Sequence, residues 1–253
     1  MKRTIVLVLF FLGYQLLFGA LAVGIGYKVP DHKMTIAITA QALADIAIAI
    51  HLILAHDVTL NKKTLSPLSW KAVAACLLLI IGMGFWTNFI VELLDLPNLN
   101  EDIMIEMMRS PIGMFSIAIL APVVEEMLFR GAIQSRLTAK WKNPWWGIAV
   151  ASLLFGVIHG NPVQIPFAFI TALALGWVYW LTGSLLLPIL MHFVNNASAV
   201  LLFWCSDQDY NSTMTDIFGT TGAFVVAGAG VVVTLASIIF ISKIMQFRKE
   251  KTC

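Results

Sequence analysis

Residues Ala121–Gly131 read Ala-Pro-Val-Val-Glu-Glu-Met-Leu-Phe-Arg-Gly. They set two adjacent carboxylates and a guanidinium inside an apolar run long enough to cross a bilayer. On insertion scales an acidic or basic residue at a helix centre costs roughly 2.5–3.5 kcal/mol. A segment that only had to sit in lipid would not carry Glu125, Glu126 and Arg130 together. Ionisable residues at membrane depth face a protein interior or a water-filled cavity, and serve chemistry or transport there.

The rest of the composition agrees with a membrane setting. Of 253 residues, 59% are hydrophobic and 12% charged, against about 25% charged in soluble domains. The net charge of +2 gives no pointer to nucleic acid, because the basic residues cluster beside apolar runs. The three cysteines, Cys76, Cys205 and Cys253, form neither a disulfide framework nor a metal-ligand spacing.

A transmembrane helix needs about 20 mostly apolar residues. Eight runs qualify: Thr4–Gly26, Met34–His56, Trp70–Leu94, Ile112–Leu137, Trp145–His159, Val163–Leu181, Ser184–Trp204 and Ile217–Ser242. The expected fold is all-α, a polytopic membrane helix bundle of about eight transmembrane helices. It forms one transmembrane domain over residues 1–253, with the polar motifs inside 112–204. The first run has a rival reading, since Lys2-Arg3, an apolar core and Ala20-Leu21-Ala22 resemble a cleavable signal peptide. Its length favours a retained span.

Orientation follows the basic residues. Lys2, Arg3, Lys62, Lys63, Arg136, Lys140, Lys142, Lys243, Arg248, Lys249 and Lys251 fall on one side of an eight-span arrangement. Lys28, Lys33 and Arg109 fall on the other, with the acidic loops Asp95–Glu106 and Asp207–Asp216. Both termini are expected in the cytoplasm, in a multi-pass protein of the cell (inner) membrane. The fifth run is short, about 17 residues or roughly 25 Å of helix. The turn His159-Gly160-Asn161-Pro162 is then expected at membrane depth, where irregular backbone needs burial in protein or a water-lined cavity.

Glu126 and Arg130 are four apart and share a helix face, which predicts an ion pair. Glu125 points elsewhere and is left for chemistry. Pro122 removes a helix hydrogen bond just before the carboxylates. The bland alternative for Glu126 and Arg130 is a pair that merely locks helices together. Phe155 and His159 share a face, as do His192 and Asn196, with Pro188 expected to loosen the helix one turn before. Alone, His159 also reads as an interfacial anchor, and His192 with Asn196 as an interhelical hydrogen-bond clamp. Together they put one carboxylate, two imidazoles and one carboxamide on three spans at compatible depths. Amide hydrolysis needs a base to activate water and donors to hold the oxyanion, and these residue types supply both.

The order Glu125-Glu126-x-x-x-Arg130-Gly131, Phe155-x-x-x-His159, His192-x-x-x-Asn196 resembles the CPBP family, the CAAX proteases and bacteriocin-processing enzymes also called the Abi family. The resemblance implies a glutamate-dependent intramembrane protease. It makes Glu125 the base on water assisted by His159, and His192 and Asn196 the oxyanion site. Glu126 and Arg130 support them, and Glu126 is a further candidate in catalysis. Two histidines and a glutamate are zinc-ligand types, but the signature of two histidines four apart around a glutamate on one helix is absent. A metal-free site without cofactor is expected, with zinc the alternative.

The expected partners are the lipid bilayer and a peptide or protein substrate in or at the membrane, either lipid-modified (CAAX-type) or bacteriocin-like. No nucleic acid is expected, and the oligomeric state is left open. Two rivals remain, a proton-coupled transporter and a non-catalytic immunity or scaffold protein. Gln15, Asp45, His51 and Asn88 read as interhelical hydrogen bonding, with Asp45 alternatively at a substrate entrance. Gly219–Gly230 reads as close helix packing, and Trp145-Trp146 as an interfacial belt.

Overall fold

The computed structural model describes residues 2–205 and 212–252. Residues 207–211 of the expected Asp207–Asp216 loop fall outside the described residues, as do Cys253 and the side chains of Arg248, Lys249 and Lys251, while residues 214–216 are already helix. Among the described residues the chain is all-α: α1 Lys2–Lys28, α2 Lys33–Leu54, α3 Trp70–Leu94, α4 Glu101–Arg109, α5 Pro111–Trp141, α6 Pro144–Val157, α7 Gln164–Thr182, α8 Leu186–Cys205 and α9 Met214–Thr252. Seven are long and apolar enough to cross a membrane. The expected fifth span, α6, has 14 residues, or roughly 21 Å of helix. It ends where Gly160 turns the chain at φ +63°.

Local chemistry explains the boundaries. Ser69, Ser110 and Asn143 cap α3, α5 and α6 by accepting from Ala72, Gly113 and Trp145 backbone N–H groups. Gly183, at φ +67°, closes α7 and donates its N–H to Tyr179 O at 2.8 Å. Pro188 lies in the first turn of α8, where no intrahelical partner is lost. The expectation that it loosens the helix is therefore not met.

The expected acidic loop Asp95–Glu106 is partly helix. In α4, Met104 and Met108 repeat four apart on an amphipathic turn, Met108 is buried, and Met108 O accepts from Trp204 Nε1 at 2.9 Å. The fold here was missed because the segment's charges masked a short amphipathic period.

Helix packing places the polar span in the middle. α1 lies along α2, α6 along α7 and α9 along α3, while α8 contacts α3, α5 and α7. One core joins Leu7, Ile48, Leu128, Ile133, Ala151 and Ala172 around α5. A second joins Leu79, Leu175, Leu187 and Ile241 across α3, α7, α8 and α9. Of the glycine run in α9, Gly230 allows close approach, since a Cβ there would stand 2.7 Å from Gly82 O, whereas Gly219 bends the helix at φ +67° and Gly228 faces open space. Trp145 and Trp146 are exposed. The first helix is tied into the bundle, since Leu7 and Phe11 are in the core and Arg3 pairs with Asp57.

Candidate active site

α5 is not a uniform α-helix. It widens into π turns at Ser116–Leu120 and Met127–Gln134, on either side of Ala121–Glu126. Such bulges are frequent at functional sites. In a π register the partner of Ile117 O is the amide of residue 122, which is proline and has no N–H. The vacant role is filled from α8, where Asn196 Nδ2 donates to Ile117 O at 2.9 Å. Asn196 Oδ1 in turn accepts from Asn195 Nδ2 at 3.1 Å.

The widened helix presents Glu125 and Glu126 on separate faces, as their adjacency requires. Glu126 Oε2 lies 3.0 Å from Arg130 Nε, with both side chains buried. Arg130 Nη2 donates to Ala172 O on α7 at 3.2 Å. The guanidinium carbon also sits 4.9 Å from the centre of the Phe155 ring. The expected ion pair is present, but it is not a bystander. The other oxygen of Glu126, Oε1, lies 2.9 Å from His192 Nδ1.

His192 bridges the two glutamates. Its Nε2 lies 3.8 Å from Glu125 Oε2, whose side chain keeps 20% exposure while Glu126 has none. An ionised carboxylate only accepts, so Nδ1 must carry the hydrogen toward Glu126. Neutral His192 then turns an Nε2 lone pair to Glu125. It becomes a donor at Nε2 only as imidazolium.

His159 is held differently. Its Nδ1 donates to Phe155 O at 2.8 Å, which leaves Nε2 as the acceptor in the neutral ring. Phe155 is the shared neighbour: its ring centre lies 5.0 Å from that of His159 and 5.7 Å from that of His192. The structure therefore brings Glu125, Glu126, Arg130 and His192 into direct contact and joins His159 to them through Phe155. Asn196, one turn beyond His192, braces the bulge above Pro122. An outward groove of about 500 Å³ between Tyr14, His51 and Leu54 lies apart from these residues.

Two supporting residues escaped sequence reasoning. Asn161 is buried behind the His159 turn; its Nδ2 donates to Asn98 Oδ1 at 2.8 Å and its Oδ1 accepts from Leu99 N at 3.0 Å. The Gly-Asn-Pro turn marked the place but not the partner. Gln134 donates to Gly176 O at 2.8 Å, one turn below the Arg130 bond to Ala172 O. Their four-residue spacing on α5 was the available signal. Elsewhere, Asp57 receives Arg3 and Arg136, tying the start of α1 and the end of α5 to the α2–α3 loop. Burial alone would raise the Asp57 carboxyl, but the hydrogen bond from Arg3 and the charges of Arg136 and Arg3 hold it below its ordinary value.

The site geometry has a counterpart in known sequences. Residues 108–198 match the family described as type II CAAX prenyl endopeptidase Rce1-like. This core resembles that family. The match bears out the resemblance drawn from the three motifs, and it spans Glu125 through Asn196. The uncharacterized protein YpbD of Bacillus subtilis (strain 168) is 29% identical over 133 residues, or 51% of this chain. The chain covers 65% of the length of that relative. No solved structure matches it. His192 Nδ1 faces Glu126, and among the described residues no three His, Cys, Asp or Glu side chains are grouped to hold a metal ion.

Proposed function

We propose that the chain is an intramembrane endopeptidase that hydrolyses a peptide bond of a membrane-associated substrate by a glutamate-activated water. The observation that carries this reading is the bridge from Glu126 through His192 toward Glu125. A buried carboxylate fixing one imidazole nitrogen aims the other at the reacting group beside a partly exposed carboxylate, which sets a donor next to a base. A helix clamp would need neither Glu125 nor the second imidazole nitrogen. The family description supports a CAAX-type substrate, cut beside a lipid-modified cysteine.

In this mechanism Glu125 takes a proton from water, and the resulting hydroxide attacks the scissile carbonyl carbon. His159 Nε2 accepts from that water and orients it. The tetrahedral oxyanion is held by imidazolium His192 through Nε2–H and by the second amide hydrogen of Asn196. The proton on Glu125 then passes to the leaving nitrogen as the C–N bond breaks. Glu126 and Arg130 hold His192 in one orientation, with Nδ1 toward Glu126 and Nε2 toward the reacting group. No metal takes part. The basic residues at the Arg3–Asp57–Arg136 end support a cytoplasmic placement of that end and of both termini in a cell membrane.

The test is proteolysis of an internally quenched peptide carrying a farnesylated cysteine, by purified protein in lipid vesicles. Glu125→Gln keeps size but removes the base, and turnover should fall about 10²–10⁴-fold. Activity should survive chelation. Wild-type turnover in Glu125→Gln, or activity lost on chelation and restored by zinc, overturns the mechanism. Proton uptake by vesicles without any peptide cleavage would favour the transporter rival.

A further inference from the structure

One buried acid is untouched by this mechanism. Asp45 lies on α2, which packs against the Ser116–Leu120 and Ala121–Glu126 turns of α5. It is 6% exposed within a membrane-spanning helix. Gln15 Nε2 from α1 and Gln41 Nε2 from α2 both donate to Asp45 Oδ1, at 3.1 and 3.4 Å.

This arrangement exceeds what holding two helices together requires. A single amide pair would join α1 to α2 without an acid's insertion penalty of roughly 2.5–3.5 kcal/mol. Gln41 is on the same helix as Asp45, so its bond orients the carboxylate rather than joining helices. Because a carboxylate accepts only, both amides turn their nitrogens inward. Asp45 Oδ2 and the two glutamine carbonyl oxygens remain as acceptors, on and against the helix that packs on the Glu125 turn.

We propose that Asp45, oriented by Gln15 and Gln41, is a substrate-binding residue that accepts hydrogen bonds from backbone N–H groups of an extended peptide beside Glu125. This inference rests on the protease reading above. A peptide entering the membrane interior brings N–H groups that need acceptors, and this face offers them. It repels a carboxylate, so the substrate's C-terminal end lies away from α2.

The test separates binding from turnover. With the farnesylated peptide as probe, Asp45→Asn should raise KM about tenfold or more, the loss expected for a hydrogen bond to a charged acceptor. The effect should fall mainly on KM. Fluorescence anisotropy should show the same weakening between Glu125→Gln and Glu125→Gln/Asp45→Asn. Gln41→Met keeps the α1–α2 link, should raise KM by a smaller factor, and decides the matter if Asp45→Asn does not fold. A folded variant with unchanged KM and affinity makes the trio a helix clamp and overturns the proposal. So does a loss confined to kcat, which would give Asp45 a proton-transfer role. If wild type cuts no peptide but Glu125→Gln binds it in an Asp45-dependent way, the protease reading fails and the binding face stands.

Discussion

His192 Nδ1 and Glu126 Oε1 lie 2.9 Å apart, with both side chains buried. The bond couples α8 to α5 and sets which nitrogen of His192 faces Glu125. Glu126 is therefore the second carboxylate of the site, not merely the partner of Arg130.

Glu126→Gln tests that coupling. The amide can offer either an acceptor or a donor, so the orientation of His192 is no longer fixed. Peptide turnover should fall about 10²–10³-fold, the range for a lost oxyanion donor. Nitrogen-15 shifts of His192 should change with it. Full activity with an unchanged imidazole spectrum would return Glu126 to a purely structural role.

Arg130→Ala leaves Glu126 as an uncompensated buried charge. Removing one partner of a buried pair costs about 3–5 kcal/mol, so thermal unfolding in detergent should shift down along with folded yield. Activity should drop as well, because Glu126 then no longer holds His192. A variant as stable as wild type yet inactive would put Arg130 in the reaction itself.

Asn161→Ala should loosen the turn that carries His159 without touching the peptide-cutting groups. The expected signature is a fall in kcat of about tenfold, with partial rescue by Asn161→Asp, which restores the acceptor for Leu99 N but not the donor to Asn98. Equal loss in both variants would mean that the donor bond alone matters. No loss in either would show that Phe155 O suffices to hold His159.

Asp57 predicts a pH effect on stability. Its carboxyl is held below its ordinary value in the fold, so the unfolded chain takes up a proton first as pH falls. The stabilisation is complete above about pH 4, the unfolded value. It disappears as pH drops through the lower native value. Asp57→Asn should lower stability by about 1.5–3 kcal/mol near neutrality and flatten the acid limb of the unfolding profile. An unchanged acid limb would rule out Asp57 as its source. The estimate stays below that for a fully buried pair because Arg3 and Arg136 both reach solvent.

Much of the site was legible in sequence because helix periodicity is local. The spacing of Glu126 and Arg130 requires one face, and that of Phe155 and His159 likewise; both contacts are found in the fold. The spans were legible because a bilayer demands long apolar runs, and the runs agree with the helices within a few residues, except that α9 continues ten residues past Ser242. The short α6 and its polar turn followed from Pro144 and Pro162.

What tertiary structure alone decided are the contacts between helices and the register within α5. The bond from His192 to Glu126 joins residues 66 apart, and periodicity says nothing about which helix faces which. The π turns shift every face of α5 by a fraction of a turn, so an ideal helical wheel misplaces its neighbours. That shift leaves Ile117 O without a backbone partner at Pro122 and gives Asn196 its place. Proline announced a missing hydrogen bond in the sequence. Only the packing of α8 against the bulge could say which side chain replaces it.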